Sequence, residues 1–595
     1  MQPLRTLSLW MDQLDEPLCA RPALREDLAA DVCIIGAGYT GLWTAYYLKR
    51  QAPHLNIAVI DANIAGFGAS GRNGGWLMGN LLGEDRLLAT LSPQQRRASI
   101  DLLHGNPDEV HGVLQREGID CDYRKGGVLY CAARYPEQER SLRAYLDDLY
   151  RQGMTEDDYH WLRPEQLENQ LRVSNAFGAI YSPHTATIQP AKLVRGLARA
   201  VEALGVPIFE NTPAIDWQPG EVRTPLARIR CQWMVPAVEG YAASLPPLGK
   251  HQLPVQSLLI ATEPLPESTW EQIGLSQGQA FSESSRQVTY GQRTADNRLV
   301  FGARGGYRFG GRLRENFNLD AHEIELRRYL FSELFPQLKH VRITHSWGGN
   351  LGMARRFRPH MLCDRQRGIA LAGGYGGEGV GATNLGGRTL AALILNQHNE
   401  LTAQPWVLDN RPVSSLASWP PEPCRWLGYN AIIQSFIHED RTLANPASAP
   451  WRRRLASPLR TSWKASCTDF PFPDTGPTGH EHYPVQEHPQ RRPGAFKPGR
   501  GAAWRTRSGD VGHLRGAQRW RRNRHLGMHP RALAAADRAT GVLPFHQGPL
   551  HFHPRRWRAP GHRSRRRIDA TGQQHRHLGH PGDRAQDLRT HLLIR

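Results

Sequence analysis

The spacing with the clearest chemical meaning is Gly36-Ala37-Gly38-Tyr39-Thr40-Gly41, a G-x-G-x-x-G run with Asp61 some way downstream. Gly36 permits a tight turn, Gly38 lets the backbone approach a pyrophosphate, and Gly41 lets a helix pack closely on a strand. Asp61 is placed to accept hydrogen bonds from a ribose diol. The helix that opens here aims its free amides at the phosphates. An adenine dinucleotide is therefore the expected ligand, against the plainer reading of a glycine turn that binds nothing. The fingerprint alone leaves NAD and FAD both open, because each presents the same ADP half.

Two more glycine-rich stretches bear on that choice. Gly66-Phe67-Gly68-Ala69-Ser70-Gly71-Arg72-Asn73-Gly74-Gly75 follows Asp61 closely, with clustered backbone donors and one guanidinium. Far downstream, Gly373-Gly374-Tyr375-Gly376-Gly377-Glu378-Gly379-Val380-Gly381 leads towards a helix. A second helix N-terminus can meet a second part of one long ligand. Either stretch alone reads equally well as a flexible loop, but all three together fit a long cofactor embedded in the fold.

The elements that must position these groups follow from periodicity. Residues 31–35 form a short apolar run suited to a strand buried on both faces, 42–50 carry an apolar stripe ending in Lys49 and Arg50, and 57–60 supply a second strand, so a βαβ unit is expected. Pro190 opens a helix that Gly205 stops. Residues 287–292 and 299–303 read as strands joined by a hairpin turn, and 386–395 as a helix. The fold class is α/β.

Composition bounds the rest. The formal charge of +19 is unevenly spread, because residues 458–595 hold 24 Arg and 2 Lys against 9 acidic residues, leaving residues 1–457 near neutral. A basic balance confined to one end does not make the whole chain a nucleic-acid binder. That end is rich in His, Pro and Gly and poor in aliphatic runs. It reads as a disordered tail or an out-of-frame extension. Eight cysteines without a paired framework point to a reducing compartment. No signal peptide and no apolar run of about 18 residues is present. A cytoplasmic protein with no membrane contact is expected, and no metal set is assigned; His551, His553, His575 and His577 lack Cys or carboxylate partners.

The ordered series ADVCIIGAGYTGLWTAYYL, FGASGRNGG, TIQPAKLVRGLA, LVFGARGG, WGG and GGYGGEGVGATNLGG resembles the FAD-dependent amine and amino-acid oxidoreductases of the D-amino-acid oxidase and glycine oxidase superfamily. It most resembles the branch that includes gamma-glutamylputrescine oxidoreductase. The resemblance spans about residues 5–457. It implies a Rossmann-like FAD-binding domain (segments about 28–80, 180–242 and 345–400) interleaved with a mainly antiparallel substrate domain (about 81–179 and 243–344), then a helical segment at 401–457. It implies that Gly36, Gly38, Gly41 and Asp61 hold the ADP half, that Ser70, Gly71, Arg72, Asn73 and Gly74 pass near the pyrophosphate or ring, and that Gly374 to Gly381 lie over the ribityl and ring side. Ala37, Tyr39, Thr40, Tyr375, Gly376, Gly377 and Gly379 belong to the same expected set. Where the family has Ala-Thr, this chain has Ala237-Val238 before Glu239-Gly240-Tyr241, and after Trp347 no cysteine stands ready to bond the flavin. FAD is expected to bind non-covalently.

A flavin supplies the redox chemistry, so the protein need only position a C–H bond and keep an amine neutral. The implied reaction oxidises the C–N bond of an amine or amino acid to an imine, which water hydrolyses to an aldehyde or keto acid while oxygen is reduced to hydrogen peroxide. A carboxylate on the substrate calls for a bidentate Arg. Arg304, Arg308 and Arg358 are candidates, with Tyr307, Trp347 and Tyr375 as ring or wall residues; Arg304, Trp347 and Tyr375 are the expected catalytic set. The competing readings are an NAD-dependent dehydrogenase and a flavoprotein whose tail binds nucleic acid through Arg519–Arg524 and Arg563–Arg567.

Overall fold

The structure is a computed structural model and describes residues 4–286 and 288–456; the expected tail lies outside the described residues. The βαβ unit is present as strand Leu28–Ile35, helix Tyr39–Gln51 and strand Ile57–Ile60. The two strands pair in parallel, Val32 opposite Ile57 and Ile35 opposite Ile60. Strand Arg228–Pro236 adds in parallel on the other side of Leu28–Ile35, and Ile208–Phe209 beyond Ile57–Ile60. Ile369–Gly373, His360–Asp364 and Val407–Asp409 complete that edge, while the Asp216–Gln218 and Glu221–Arg223 hairpin pairs antiparallel with Arg228–Pro236. Strand segments from the start, middle and end of the chain thus share one sheet. Their nearly continuous apolar runs suit burial on both faces.

The second sheet runs Ile343–Ala354, Gln252–Thr262, Leu299–Tyr307, Tyr290–Arg293, Ala280–Glu283, Val128–Ala132, Gly178–Ser182 and His160–Leu162. All its pairs are antiparallel except Ala280–Glu283 with Val128–Ala132. Its faces are assigned by alternation. Leu258, Ile260, Phe301 and Ala303 are buried in an apolar cluster with Phe331 and Leu334 of helix Ala321–Leu334. Ser257, Leu259 and Arg304, in antiphase, face a cavity on the other side.

Two boundaries differ from the sequence expectation. The expected 345–400 segment opens on strand Ile343–Ala354, and the expected 180–242 segment opens on strand Gly178–Ser182; both strands belong to the second sheet. The late helix spans Gly379–Ile394 and so starts well inside the glycine run, earlier than residue 386. Glycine's poor helix propensity hides this start; packing against helix Tyr39–Gln51 overrides it. A Cβ on Gly387 would meet Trp43 Cβ at 2.5 Å, so the crossing is as close as two backbones allow.

Candidate functional site

The first strand ends at Ile35 and the chain turns through Gly36, whose φ is +113°. A Cβ there would stand 2.6 Å from the Ala237 carbonyl oxygen, and one on Gly41 would stand 2.0 Å from that of Gly36. Only glycine fits either position. Beyond this turn lies an elongated cavity of about 300 Å³. It is lined by Gly36, Gly38, Tyr39 and Thr40, then by Asp61, Ala69, Ser70 and Asn73, then by Val238, Glu239 and Tyr241, and finally by Tyr375, Gly377, Gly379 and Thr383. Two helix N-termini, at Tyr39 and Gly379, open onto it.

Polar contacts tie the segments together. The Tyr39 amide donates to Ser70 Oγ at 2.9 Å, and the Thr40 and Tyr375 hydroxyls are 3.2 Å apart, joining the first glycine turn to the last. Asp61 accepts the amides of Ala37 at 2.8 Å and Asn63 at 2.7 Å. Burial pushes its carboxyl up to about 6, although these amides favour the charged form. Glu239 accepts the Tyr375 amide at 3.3 Å; burial pushes it up to about 7, and its Oε2 is buried without a hydrogen-bond partner.

A dinucleotide fits this cavity on three grounds. Aligned amides face it at two helix starts, the Asp61 carboxylate lines it, and glycines at positions no Cβ could occupy form part of its wall. FAD would be held by Gly36 to Thr40 with Asp61 on one side and by Tyr375 to Thr383 on the other.

A second cavity of about 230 Å³ lies between this site and the antiparallel sheet. Ala69, Asn73, Leu351, Gly377 and Val380 line both, so the two spaces adjoin. Ser257, Arg304 and Gly349 stand in register across three strands and all face it. Tyr290 fills the gap left by two glycines, since a Cβ on Gly74 or Gly302 would strike its ring, and its hydroxyl is hydrogen-bonded to Ser257.

The sequence-derived residues separate into distinct roles of position. Gly36, Gly38, Tyr39, Thr40, Asp61, Ser70, Asn73, Tyr375, Gly377 and Gly379 line the first cavity; Arg72, Asn73, Gly74, Gly376, Gly377 and Arg304 line the second. Ala37, Gly41, Gly71, Gly374 and Gly381 lie behind the walls. Arg72 is not directed at the first cavity: its Nε donates to the Phe67 carbonyl at 2.7 Å and its guanidinium lies over the rings of Phe67 and Phe317. Trp347 lines neither cavity. It is buried edge-on to Trp10 and donates from Nε1 to the Arg72 carbonyl at 2.9 Å, so it supports Arg72 from behind. Arg308 and Arg358 are exposed, and Tyr307 packs on Tyr429 and donates to Glu422.

Sequence reasoning missed Tyr290, Ser257, Arg286, Tyr429 and Phe436, which line the second cavity together with Glu378 of the late glycine run. Nothing local marks them: Ser257 is in phase with Leu253, Val255, Leu259 and Ala261 along its strand, so its own face reads as apolar. Away from both cavities, His104, Asp158 and His184 bring potential ligand atoms within 4.8 Å of one another. The two rings are stacked 3.8 Å apart, so one ion cannot lie in the plane of both, and Arg97 already holds the Asp158 carboxylate at 2.5 Å. No helix among the described residues is long and apolar enough to cross a membrane.

Comparison with known proteins agrees with this geometry. The chain is 30% identical over 390 residues to the probable oxidoreductase OrdL of Rhizobium meliloti, covering 64% of this chain and 86% of that protein. It is 28% identical over 377 residues to the gamma-glutamylputrescine oxidoreductase of Escherichia coli, covering 62% and 85%. The fold matches the crystal structure of glycine oxidase from Geobacillus kaustophilus with a TM-score of 0.52 at 21% identity, over 65% of this chain and all of that one. The profile of the DAO family, FAD dependent oxidoreductase, matches residues 31–393. With more than half of its length matched and the glycine-lined cavity in place, the chain belongs to the DAO family of FAD-dependent oxidoreductases, and its dinucleotide is FAD.

Proposed function

We propose that the protein oxidises the C–N bond of a small amine or amino acid, with oxygen as electron acceptor and hydrogen peroxide as product, and that a gamma-glutamylputrescine-like amine is among its substrates. The observation that supports this reading best is the shared wall: Ala69, Asn73, Leu351, Gly377 and Val380 bound both the cofactor cavity and the cavity beside the antiparallel sheet. Bound FAD supplies two-electron redox chemistry. The chain's own task is to hold a C–H bond at that wall and to exclude water until an imine has formed.

Leu259, Met353, Phe357 and Val380 give the second cavity an apolar wall, which favours the neutral amine over the ammonium ion. Arg304 is the candidate anchor for a carboxylate. Glu378 stands at the shared end and its Oε2 is buried without a hydrogen-bond partner, an acceptor suited to an amine N–H. Water then hydrolyses the released imine to an aldehyde or keto acid. A cytoplasmic setting suits the seven free cysteines among the described residues.

The test is anaerobic mixing of the FAD-loaded protein with polyamines, gamma-glutamylated amines and D-amino acids. Bleaching of the flavin band without added nicotinamide, followed by peroxide release when air is admitted, is the expected result. A flavin that stays oxidised with every amine would overturn the reading; bleaching without peroxide would remove oxygen as the acceptor.

A further inference from the structure

Behind the wall of the cofactor cavity lies a small polar cavity of about 20 Å³, enough for a water molecule. Val238 and Glu239 line both spaces. Gln252, His251 and His360 help to close the small one, and with Glu239 they bring four buried atoms that have no hydrogen-bond partner: Glu239 Oε2, Gln252 Oε1, His251 Nε2 and His360 Nε2. Three of these side chains converge on one point. A Cβ on Gly373 would meet Gln252 Nε2 at 2.7 Å, Glu239 Oε2 at 2.8 Å and His360 Nε2 at 3.5 Å.

The far ends of the two rings decide where protons can sit. His360 Nδ1 donates to the Arg358 carbonyl at 3.3 Å and His251 Nδ1 to that of Ala417 at 3.4 Å, so in the neutral rings both Nε2 atoms are acceptors. With Glu239 ionised, acceptors outnumber donors in a buried cluster. A water supplies two hydrogens, and a proton on Glu239 turns Oε2 from acceptor into donor. Burial acts in the same direction, pushing the Glu239 carboxyl up to about 7 and the His360 ring down to about 4. The other ionisable neighbours are Lys250 and Arg358, which disfavour positive charge on His251 and His360, and Tyr375, whose buried phenol is pushed up. The proton therefore settles on Glu239 rather than on a histidine. The backbone of Glu239 is left-handed, with φ +36°, a conformation that residues with side chains adopt chiefly where function holds them.

The carboxyl also stands toward the reacting end of the cofactor cavity. Its Oε1 accepts the Tyr375 amide, and a Cβ on Gly352 would come within 3.0 Å of its Cδ. Tyr375, Gly352 and Leu351 line the cofactor cavity, and Leu351 bounds the second cavity as well. Negative charge arriving on a cofactor in such a site raises the proton affinity of a nearby carboxylate.

We propose that Glu239, backed by a water and by His360 and His251, is a proton-holding site coupled to the redox state of FAD. On reduction two electrons and one proton go to the cofactor, and a second proton, drawn from solvent, goes to the Glu239 carboxylate. On reoxidation the two electrons and both protons leave together for a two-electron acceptor. The inference rests on the family's cofactor and not on the identity of the amine.

The experiment reduces the FAD-loaded full chain electrochemically, as wild type, Glu239→Gln and His360→Gln, so no substrate is needed. Proton uptake is followed with an indicator dye from about pH 6 to about pH 10, and infrared difference spectra, reduced minus oxidised, report carboxyl protonation. At the pH of greatest difference the wild type is expected to take up about one proton more per two electrons than Glu239→Gln. Its spectrum should gain a protonated-carboxyl band that moves in D2O and is missing from Glu239→Gln. His360→Gln should keep that band and shift its pH dependence by about half a unit or more, which separates Glu239 from Asp61 on the other side of the cofactor cavity. Equal proton counts in wild type and Glu239→Gln at every pH, or a wild-type spectrum without the band, would overturn the proposal. Should Glu239→Gln take up no FAD, the other two proteins decide: a band with shifted pH dependence in His360→Gln upholds the site, and an unshifted or absent band sinks it.

Discussion

Replacing Gly41 with alanine tests whether the first glycine turn serves the cofactor or merely the fold. The added Cβ would stand 2.0 Å from the Gly36 carbonyl oxygen and 3.0 Å from Ile34 Cγ2. Restoring ordinary contact requires the start of helix Tyr39–Gln51 to move by about 1.4 Å, because backbone rather than a flexible side chain stands in the way. Overpacking of this kind costs ~1–3 kcal/mol, and alanine returns up to ~1 kcal/mol of helix propensity, so the apoprotein should lose no more than about 3 kcal/mol. The same displacement takes an amide out of hydrogen-bond range of a phosphate. One charge-assisted bond is worth ~1.5–3 kcal/mol, so the dissociation constant for FAD should rise by roughly 10–100-fold. Gly112→Ala is the control: it lies inside helix Asn106–Glu117, nothing stands within 4 Å of its Cβ, and it should raise stability by up to ~1 kcal/mol without touching FAD affinity. Urea unfolding of the apoproteins and quenching of flavin fluorescence measure the two quantities separately. Wild-type FAD affinity in Gly41→Ala would refute the reasoning.

Glu239 makes the apoprotein pH-sensitive. Its carboxyl is held at about 7 against an ordinary 4.5, so between these values the folded state keeps a proton that the unfolded state has lost, and stability falls as pH rises through that window. At 1.36 kcal/mol per pKa unit the loss is at most about 3 kcal/mol. Denaturant midpoints at pH 5 and pH 8 should differ less in Glu239→Gln; an unchanged difference would show that this carboxyl is not the source. Trp347→Phe should cost ~1–3 kcal/mol of stability through the lost bond to the Arg72 carbonyl and the Trp10 contact. Its kcat/KM should stay within about twofold, and a much larger drop would return Trp347 to the reacting groups.

The βαβ unit, the turn at Gly36 to Gly41, the acidic residue at Asp61 and the family were all legible in the chain before any coordinates. These depend on short-range rules: a buried strand is a continuous apolar run, a helix has a stripe, and a phosphate-binding turn needs glycine at fixed offsets. The start of the late helix within the glycine run was not legible, because its packing on Trp43 outweighs its own propensity. Nor was the choice among Arg304, Arg308 and Arg358. Only the register of Leu299–Tyr307 against Gln252–Thr262 sends Arg304 into a cavity, whereas the other two reach the surface. Trp347 looked chemical because of its neighbours in sequence and is structural because of Trp10, distant in the chain. The second cavity gathers Arg72, Ser257, Arg286, Arg304 and Phe436 from five separate stretches. Tertiary structure alone decided that gathering, since strand pairing and helix docking act through space and leave no periodic trace in the local sequence.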